Sequence, residues 1–158
     1  MCKKYIVTWD MMQIYAKILS LKLYKYKNKF KWNKIIAISR GGLVPCSIIS
    51  RELEIRYVDT ICVSSYNHDC FKETEIIKHS IIKDKNILIV DDLADTGRTI
   101  KIIKKIYPYS YFVTIFAKPL GRKLVDNYVI NIPQKTWIEQ PWDMEFSYTP
   151  PIVIKNNS

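Results

Sequence analysis

Residues Ile87–Thr99 read ILIVDDLADTGRT: four apolar residues, two adjacent aspartates, a third aspartate at 95 and a Thr-Gly-Arg-Thr turn. Ile87–Val90 has the make-up of a short buried strand, and Thr99–Ile106 reads as a short helix stopped before Pro108. In open parallel α/β sheets, ligands bind beyond the carboxyl ends of the strands. The backbone N–H groups and hydroxyls of Thr96–Thr99 can surround a phosphate, helped by the positive end of the helix dipole. Gly97 lets the backbone approach closely. Carboxylates one residue apart cannot both point to the same place, so Asp91 and Asp92 divide their roles between hard partners, magnesium and sugar hydroxyls. A solvated strand end would not be this organised. A phosphoreceiver domain needs more chain after its aspartate pair than follows Asp92, and the G-x-x-x-x-G-K-S/T run of a P-loop is absent.

Outward from this stretch the chain alternates. Met11, Ile14, Tyr15 and Ile18 recur at helical spacing, with Thr8 or Asp10 as N-cap candidates. Ile35–Ile38 is a second buried strand that ends at Ser39-Arg40-Gly41-Gly42 and leads into a helix over Leu43–Leu53. Val58–Ser64 and Tyr111–Ala117 read as strands, and Tyr128–Ile132 as a fifth. Tyr66–His79 is polar and charged, and we expect a mobile surface loop there. The stretch from Pro133 to Pro151, with Trp137 and Trp142, reads as an irregular flap over the sheet. The expectation is one domain spanning residues 1–158, an α/β fold whose parallel sheet is flanked by helices, with a C-terminal hood at 133–151.

Composition sets the outer bounds. Hydrophobic residues make up 48% and charged residues 25% of 158, which suits a globular chain with a real core. No apolar run approaches the ~20 residues that span a bilayer. MCKKYIVTWD carries no signal-peptide core, so the cytosol is the expected address. Cys2, Cys46, Cys62 and Cys70 are scattered and have no histidine set beside them, which argues against a zinc site or disulfide framework. The net charge of +10 admits nucleic acid, an anionic membrane face or phosphorylated substrates as partners. Only five of the 25 basic residues are arginine. Lysine, isoleucine, asparagine and tyrosine share AT-rich codons, so base composition alone can supply much of the charge. In Lys22–Lys34 lysines interleave with Tyr24, Tyr26, Phe30 and Trp32; a helix end and solvated loop with inward aromatics accounts for it.

On these residues the chain resembles the type I phosphoribosyltransferases. ILIVDDLADTGRT matches their phosphoribosyl-pyrophosphate motif, and Ile38–Pro45 (ISRGGLVP) looks like their pyrophosphate loop. Thr114–Gly121 (TIFAKPLG), Thr136–Asp143 (TWIEQPWD) and the N-terminal YIVTWDMMQI are similar to the bacterial xanthine-guanine branch, over nearly the whole chain from Tyr5 to about Pro151.

That resemblance implies transfer of a phosphoribosyl group to a 6-oxopurine, with Mg2+ as cofactor and pyrophosphate leaving. It places Asp91, Asp92, Leu93, Ala94, Asp95, Thr96, Gly97, Arg98 and Thr99 against the sugar and 5′-phosphate, with Asp92 closest to the metal. Arg40 and Gly41 contact pyrophosphate, in a loop where the family often has a cis non-proline peptide, and Lys72 supplies a further basic contact. Asp91, Asp92 and Asp95 form the catalytic set, with Asp95 near purine N7. Lys118 donates to purine O6, Trp137 stacks on the base, and the backbone of Trp137 and Ile138 reads the 2-position. Glu139 and Asp143 either tune that position or hold water around it. Arg98 replaces a small residue and is expected to point outward.

The implied activity is salvage of guanine and xanthine, and of hypoxanthine more weakly, by a homo-oligomer (dimer or tetramer) with no nucleic-acid partner expected. Loose attachment to the inner membrane face is a secondary expectation. Two other readings remain open: a hypoxanthine-preferring transferase, and a regulatory RNA-binding protein on the same fold. The second would need the lysines of Lys22–Lys34 to gather with Lys101, Lys104 and Lys105 on one face.

Overall fold

The computed structural model describes residues 3–68, 71–78 and 85–144, with the backbone alone for 64–68 and 71–78. Its centre is a six-stranded sheet in the order β4-β3-β2-β5-β6-β7. The strands are β2 (Lys34–Ser39), β3 (Tyr57–His68), β4 (Phe71–Lys78), β5 (Ile87–Ala94), β6 (Tyr111–Ala117) and β7 (Asn127–Asn131). All neighbours pair in parallel except β3 and β4. The three helices are α1 (Trp9–Tyr24), α2 (Leu43–Glu52) and α3 (Arg98–Ile106). The anticipated α/β fold, a parallel sheet flanked by helices, is therefore present.

Alternation along the strands builds two apolar layers, one on each face. Ile35, Ala37, Leu88, Val90 and Val113 face a core completed by Met12, Ala16, Leu19 and Leu23 of α1 and by Cys46 and Ile49 of α2. Ile36, Ile38, Ile87, Ile89 and Phe112 face the other core, completed by Ile100 and Ile103 of α3. Because both faces are covered, β2 and β5 each carry an unbroken apolar run, Ile35–Ile38 and Ile87–Val90, which made them readable. Helix α1 starts where Thr8 accepts a hydrogen bond from the Met11 N–H at 3.2 Å, and Asp10 lies favourably in its first turn.

Strand order reverses between β2 and β5: β3 and β4 lie to one side, β6 and β7 to the other. A crevice at the carboxyl ends follows from this arrangement. The turn after β2 fits there because two of its residues, Gly41 and Gly42, have no side chains. A Cβ on Gly42 would collide with the Val90 carbonyl oxygen and crowd Ile38, both of them backbone.

Two segments differ from the sequence reading. Tyr66–His79 was expected to be a loop, but Tyr66–His68 ends β3 and Phe71–Lys78 forms β4, paired antiparallel from Cys62↔Lys78 to His68↔Phe71 with a bulge at Cys62/Val63. Of the expected 133–151 flap, residues 145–151 lie outside the described residues, and 133–144 is not all irregular. Its β8 (Trp137–Glu139) pairs in parallel with β1 (Lys4–Ile6), in the register Tyr5↔Ile138. Tyr5 anchors this small sheet, edge-on to Phe116 at 5.9 Å and bonded to the Tyr15 hydroxyl at 3.0 Å. Trp142 packs against the core and lies 6.2 Å from the ring of Trp9.

Gly42→Ala is expected to lower unfolding stability by about 1–3 kcal/mol, the usual range for overpacking, because no flexible side chain can yield. Urea denaturation measures it; an unchanged midpoint would mean the turn has room.

Candidate active site

The crevice draws on three segments: the turn after β2, the end of β5 with the turn beyond it, and the hood. The Ser39–Arg40 peptide bond is cis, and Gly42 and Leu43 donate to the carbonyls of Ile38 and Arg40 at 2.8 and 3.1 Å. Arg40 is exposed. Gly41 lies against Asp92 so closely that a Cβ would overlap its carboxyl group.

Asp91 and Asp92 have different partners, as adjacent strand residues must. Asp91 Oδ1 accepts the Asp92 N–H at 2.9 Å, and Asp92 Oδ2 accepts from Gln140 Nε2 at 2.7 Å. Part of each residue's surface is open, but protein atoms crowd the carboxyls. Burial raises Asp91 well above the ordinary carboxylate range, and the neighbouring Asp92 charge adds to this. Burial also raises Asp92, against hydrogen bonds that lower it. Gln140 is buried, and its Oε1 has no partner.

This donor set suits a hard cation. It offers two carboxylates whose joint ionisation is disfavoured and a buried amide oxygen left unpaired beside them. Among the described residues, no group of three or more His, Cys, Asp or Glu forms an all-protein cage. The fit is thus to a magnesium ion that takes one or two carboxylates and completes its shell with phosphate oxygens and water.

Beyond β5, Asp95, Lys118 and Gln134 converge. Lys118 is 6% exposed, and its Nζ reaches Asp95 Oδ2 at 3.1 Å, while the Asp95 side chain stays 45% open. Gln134 Nε2 donates to Asp95 Oδ1 at 2.7 Å. The Lys118 N–H is bonded to the Ala94 carbonyl at 2.9 Å, locking the end of β6 to the end of β5. The turn that follows has Gly97 in the left-handed region (φ 80°) as the N-cap of α3. Thr96 and Arg98 are exposed at its mouth, Thr99 is half-buried, and Leu93 and Ala94 belong to β5.

The hood presents the Trp137 indole, 61% exposed, while Ile138 is buried. In parallel pairing, alternate residues turn their backbone groups to the partner strand. Trp137 and Glu139 do so here: the Trp137 N–H donates to the Lys3 carbonyl and the Glu139 carbonyl accepts from Val7, both at 2.9 Å. Ile138 therefore turns its N–H and carbonyl the other way. The Glu139 side chain pairs with Lys4 at 3.2 Å, and Asp143 is exposed.

Lys72 stands in β4 opposite Asn67, and its side chain lies outside the described residues. Gln134 and Gln140 were not singled out in the sequence, although Gln140 lies inside the TWIEQPWD run. Lys22 lies in the last turn of α1 on one face of the sheet, and Lys101, Lys104 and Lys105 ride on α3 on the other. Lys22 and Lys104 each reach the β7 edge, where they meet the Tyr128 carbonyl at 2.8 Å and Asp126 at 3.5 Å. Phe30, Trp32 and Tyr111 pack together, with Phe30 stacked on Trp32 at 5.4 Å. No helix among the described residues is long and apolar enough to cross a membrane.

A family model for the phosphoribosyl transferase domain matches residues 9–149. Among solved structures, the chain is similar to a purine phosphoribosyltransferase from Pyrococcus horikoshii at 28% identity and a TM-score of 0.78, over 94% of this chain and 99% of that one. It is similar to a hypoxanthine phosphoribosyltransferase from Staphylococcus aureus at 26% identity and a TM-score of 0.65, over 80% and 75% of the two chains. It is similar in fold to the xanthine-guanine-hypoxanthine phosphoribosyltransferase of Helicobacter pylori, at 20% identity and a TM-score of 0.74 over 97% of each.

Because Asp91 and Asp92 are harder to ionise folded than unfolded, their stabilising contribution is full below the ordinary carboxylate range and lost as pH rises through the raised values. In metal-free buffer, Asp91→Asn should therefore melt higher than the parent at pH 7–8, and the gap should close near about pH 4. Thermal melts across that range test it; equal melting at pH 8 would show that the pair carries no such penalty.

Proposed function

The chain belongs to the phosphoribosyl transferase domain family, and from that premise we propose that it joins a 6-oxopurine to 5-phosphoribosyl 1-pyrophosphate, releasing pyrophosphate. The observation that carries the acceptor class is the 3.1 Å pair between Lys118 Nζ and Asp95 Oδ2, with the Asp95 side chain 45% open. A 6-oxopurine presents O6 beside N7 along one edge. A buried ammonium next to a carboxylate matches that edge, Lys118 donating to O6 and Asp95 holding the proton at N7. Adenine offers a donor where Lys118 needs an acceptor, and a buried unpaired donor is costly.

The remaining residues take the donor substrate. Asp91 and Asp92 hold the ribose hydroxyls, Thr96–Thr99 and the amino end of α3 receive the 5′-phosphate, and Arg40, Gly41 and Lys72 meet pyrophosphate. Asp92, with Asp91 beside it, would hold magnesium, which when bound neutralises the departing pyrophosphate. As the C1–O bond breaks, positive charge develops on the ribose. The acidic pair beneath it favours that state over the ground state, which is what accelerates transfer. The exposed Trp137 ring stacks on the base. The Ile138 backbone reads the 2-position, because the Trp137 N–H is already bonded to Lys3. The TWIEQPWD hood favours guanine and xanthine over hypoxanthine. Homo-oligomerisation is supported by Ile14, Ile18, Leu21 and Tyr24, exposed along α1.

The test is a spectrophotometric assay with phosphoribosyl pyrophosphate and magnesium, offering guanine, xanthine, hypoxanthine and adenine separately. We expect turnover of the first three, in falling order at hypoxanthine, and none of adenine; inactivity on every oxopurine would defeat the proposal. Asp92→Asn should lower kcat about 100-fold at saturating magnesium, and a near-normal rate would reassign the metal. Lys118→Ala should raise the KM for oxopurine at least tenfold, since a charged hydrogen bond is worth about 1.5–3 kcal/mol. An equal rise for phosphoribosyl pyrophosphate would make Lys118 structural.

A further inference from the structure

We propose that Gln134 is a positioning residue that fixes the carboxylate of Asp95 against the purine, an inference that rests on the reading of Asp95 as the partner of N7. The side-chain amide has two different ends, and the structure determines both. Its Oε1 meets the Leu120 backbone N–H at 3.1 Å. A backbone N–H only donates, so the atom it meets is the oxygen, and Nε2 must face Asp95 Oδ1, 2.7 Å away.

The support behind that amide is rigid. The Lys118 N–H is bonded to the Ala94 carbonyl at 2.9 Å, and the Arg122 N–H to the Lys118 carbonyl at 2.9 Å. Gly121 lies so close that a Cβ would fall 2.8 Å from the Asp95 carbonyl oxygen and closer still to the Ala94 backbone. The Leu120 N–H is thus held by the same strand end that carries Asp95. Gln134 closes a ring: Asp95 backbone, Gly121 and Leu120 backbone, Gln134 amide, Asp95 carboxylate. With Lys118 on Oδ2 and Gln134 on Oδ1, each oxygen has a donor on one side, and the carboxylate plane is set while 45% of the side chain stays open. Lys118 must also serve O6, so Gln134 is the contact whose sole task is orientation. Misplacing a reacting group by about 1 Å can cost up to about 100-fold in rate.

The test compares Gln134→Met, which keeps the volume and loses both bonds, with Gln134→Glu, which keeps the acceptor for Leu120 and removes the donor to Asp95. Both should lower kcat for guanine about tenfold with the KM for phosphoribosyl pyrophosphate within twofold of the parent. Either change, added to Asp95→Asn, should lower kcat no further, because the glutamine acts through that carboxylate. Wild-type kcat in Gln134→Glu would reduce the residue to a loop support and overturn the proposal, as would losses that multiply with those of Asp95→Asn. Should Gln134→Met fail to fold, Gln134→Glu and its double variant carry the comparison alone. An Asp95→Asn enzyme of near-normal rate would instead remove the N7 reading itself, and the role of Gln134 with it. A crippled Asp95→Asn beside unimpaired Gln134 variants would remove only the latter.

Discussion

Two consecutive carboxylates drawn out of water at the end of a buried strand repel each other, and much of the molecule is arranged around that repulsion. Gly41 has no side chain because Asp92 fills the space where one would start. Gln140 reaches down from the hood to donate to Asp92, and the backbone of Asp92 donates to Asp91. None of this cancels the charge; the pair remains hard to ionise. A locus that destabilises its own resting state in this way is suited to a cationic, hydroxyl-bearing occupant, and strain of this kind concentrates at functional sites.

The second half of the crevice follows a different electrostatic plan. Asp95 sits beside a buried ammonium and an amide, so its charge is matched in place. One strand and the turn after it therefore carry three aspartates in two regimes, a repelling pair and a compensated single. The two glutamines of the hood each hold one regime. Through these two hydrogen bonds the hood is tied to both.

Legibility in the sequence followed the physics of burial. Strands β2, β5 and β6 lie between two covered faces, so their residues form continuous apolar runs that stand out unaided. Val58–Ser64 of β3 read as a strand, but the end of β3 and all of β4 read as a loop because Tyr66–His79 is polar, and strand pairing at an edge leaves little compositional trace. Strands β1 and β8 are three residues each, too short for any period to register, and their pairing links Lys4 to Trp137. At the site, Asp91, Asp92 and Asp95 stood out because charges at the end of an apolar run need a reason, whereas Lys118 was carried by the resemblance of its TIFAKPLG run to the family. Gln134 and Gln140 are neutral amides in a polar stretch, and only their placement beside carboxylates gives them meaning. The orientation of the Trp137 N–H toward Lys3 likewise belongs to register, which residue types do not encode.

The β1–β8 pairing also bears on the order of assembly during synthesis. Lys4 and Trp137 meet across most of the length of the chain, and closing so long a loop is entropically uphill until the intervening elements have docked. A nascent chain emerging from the ribosome exposes the acidic pair and the Thr96–Thr99 turn well before Trp137 appears. The repelling carboxylates are thus laid down first, and the strand from the beginning of the chain waits for the last described strand to complete the roof.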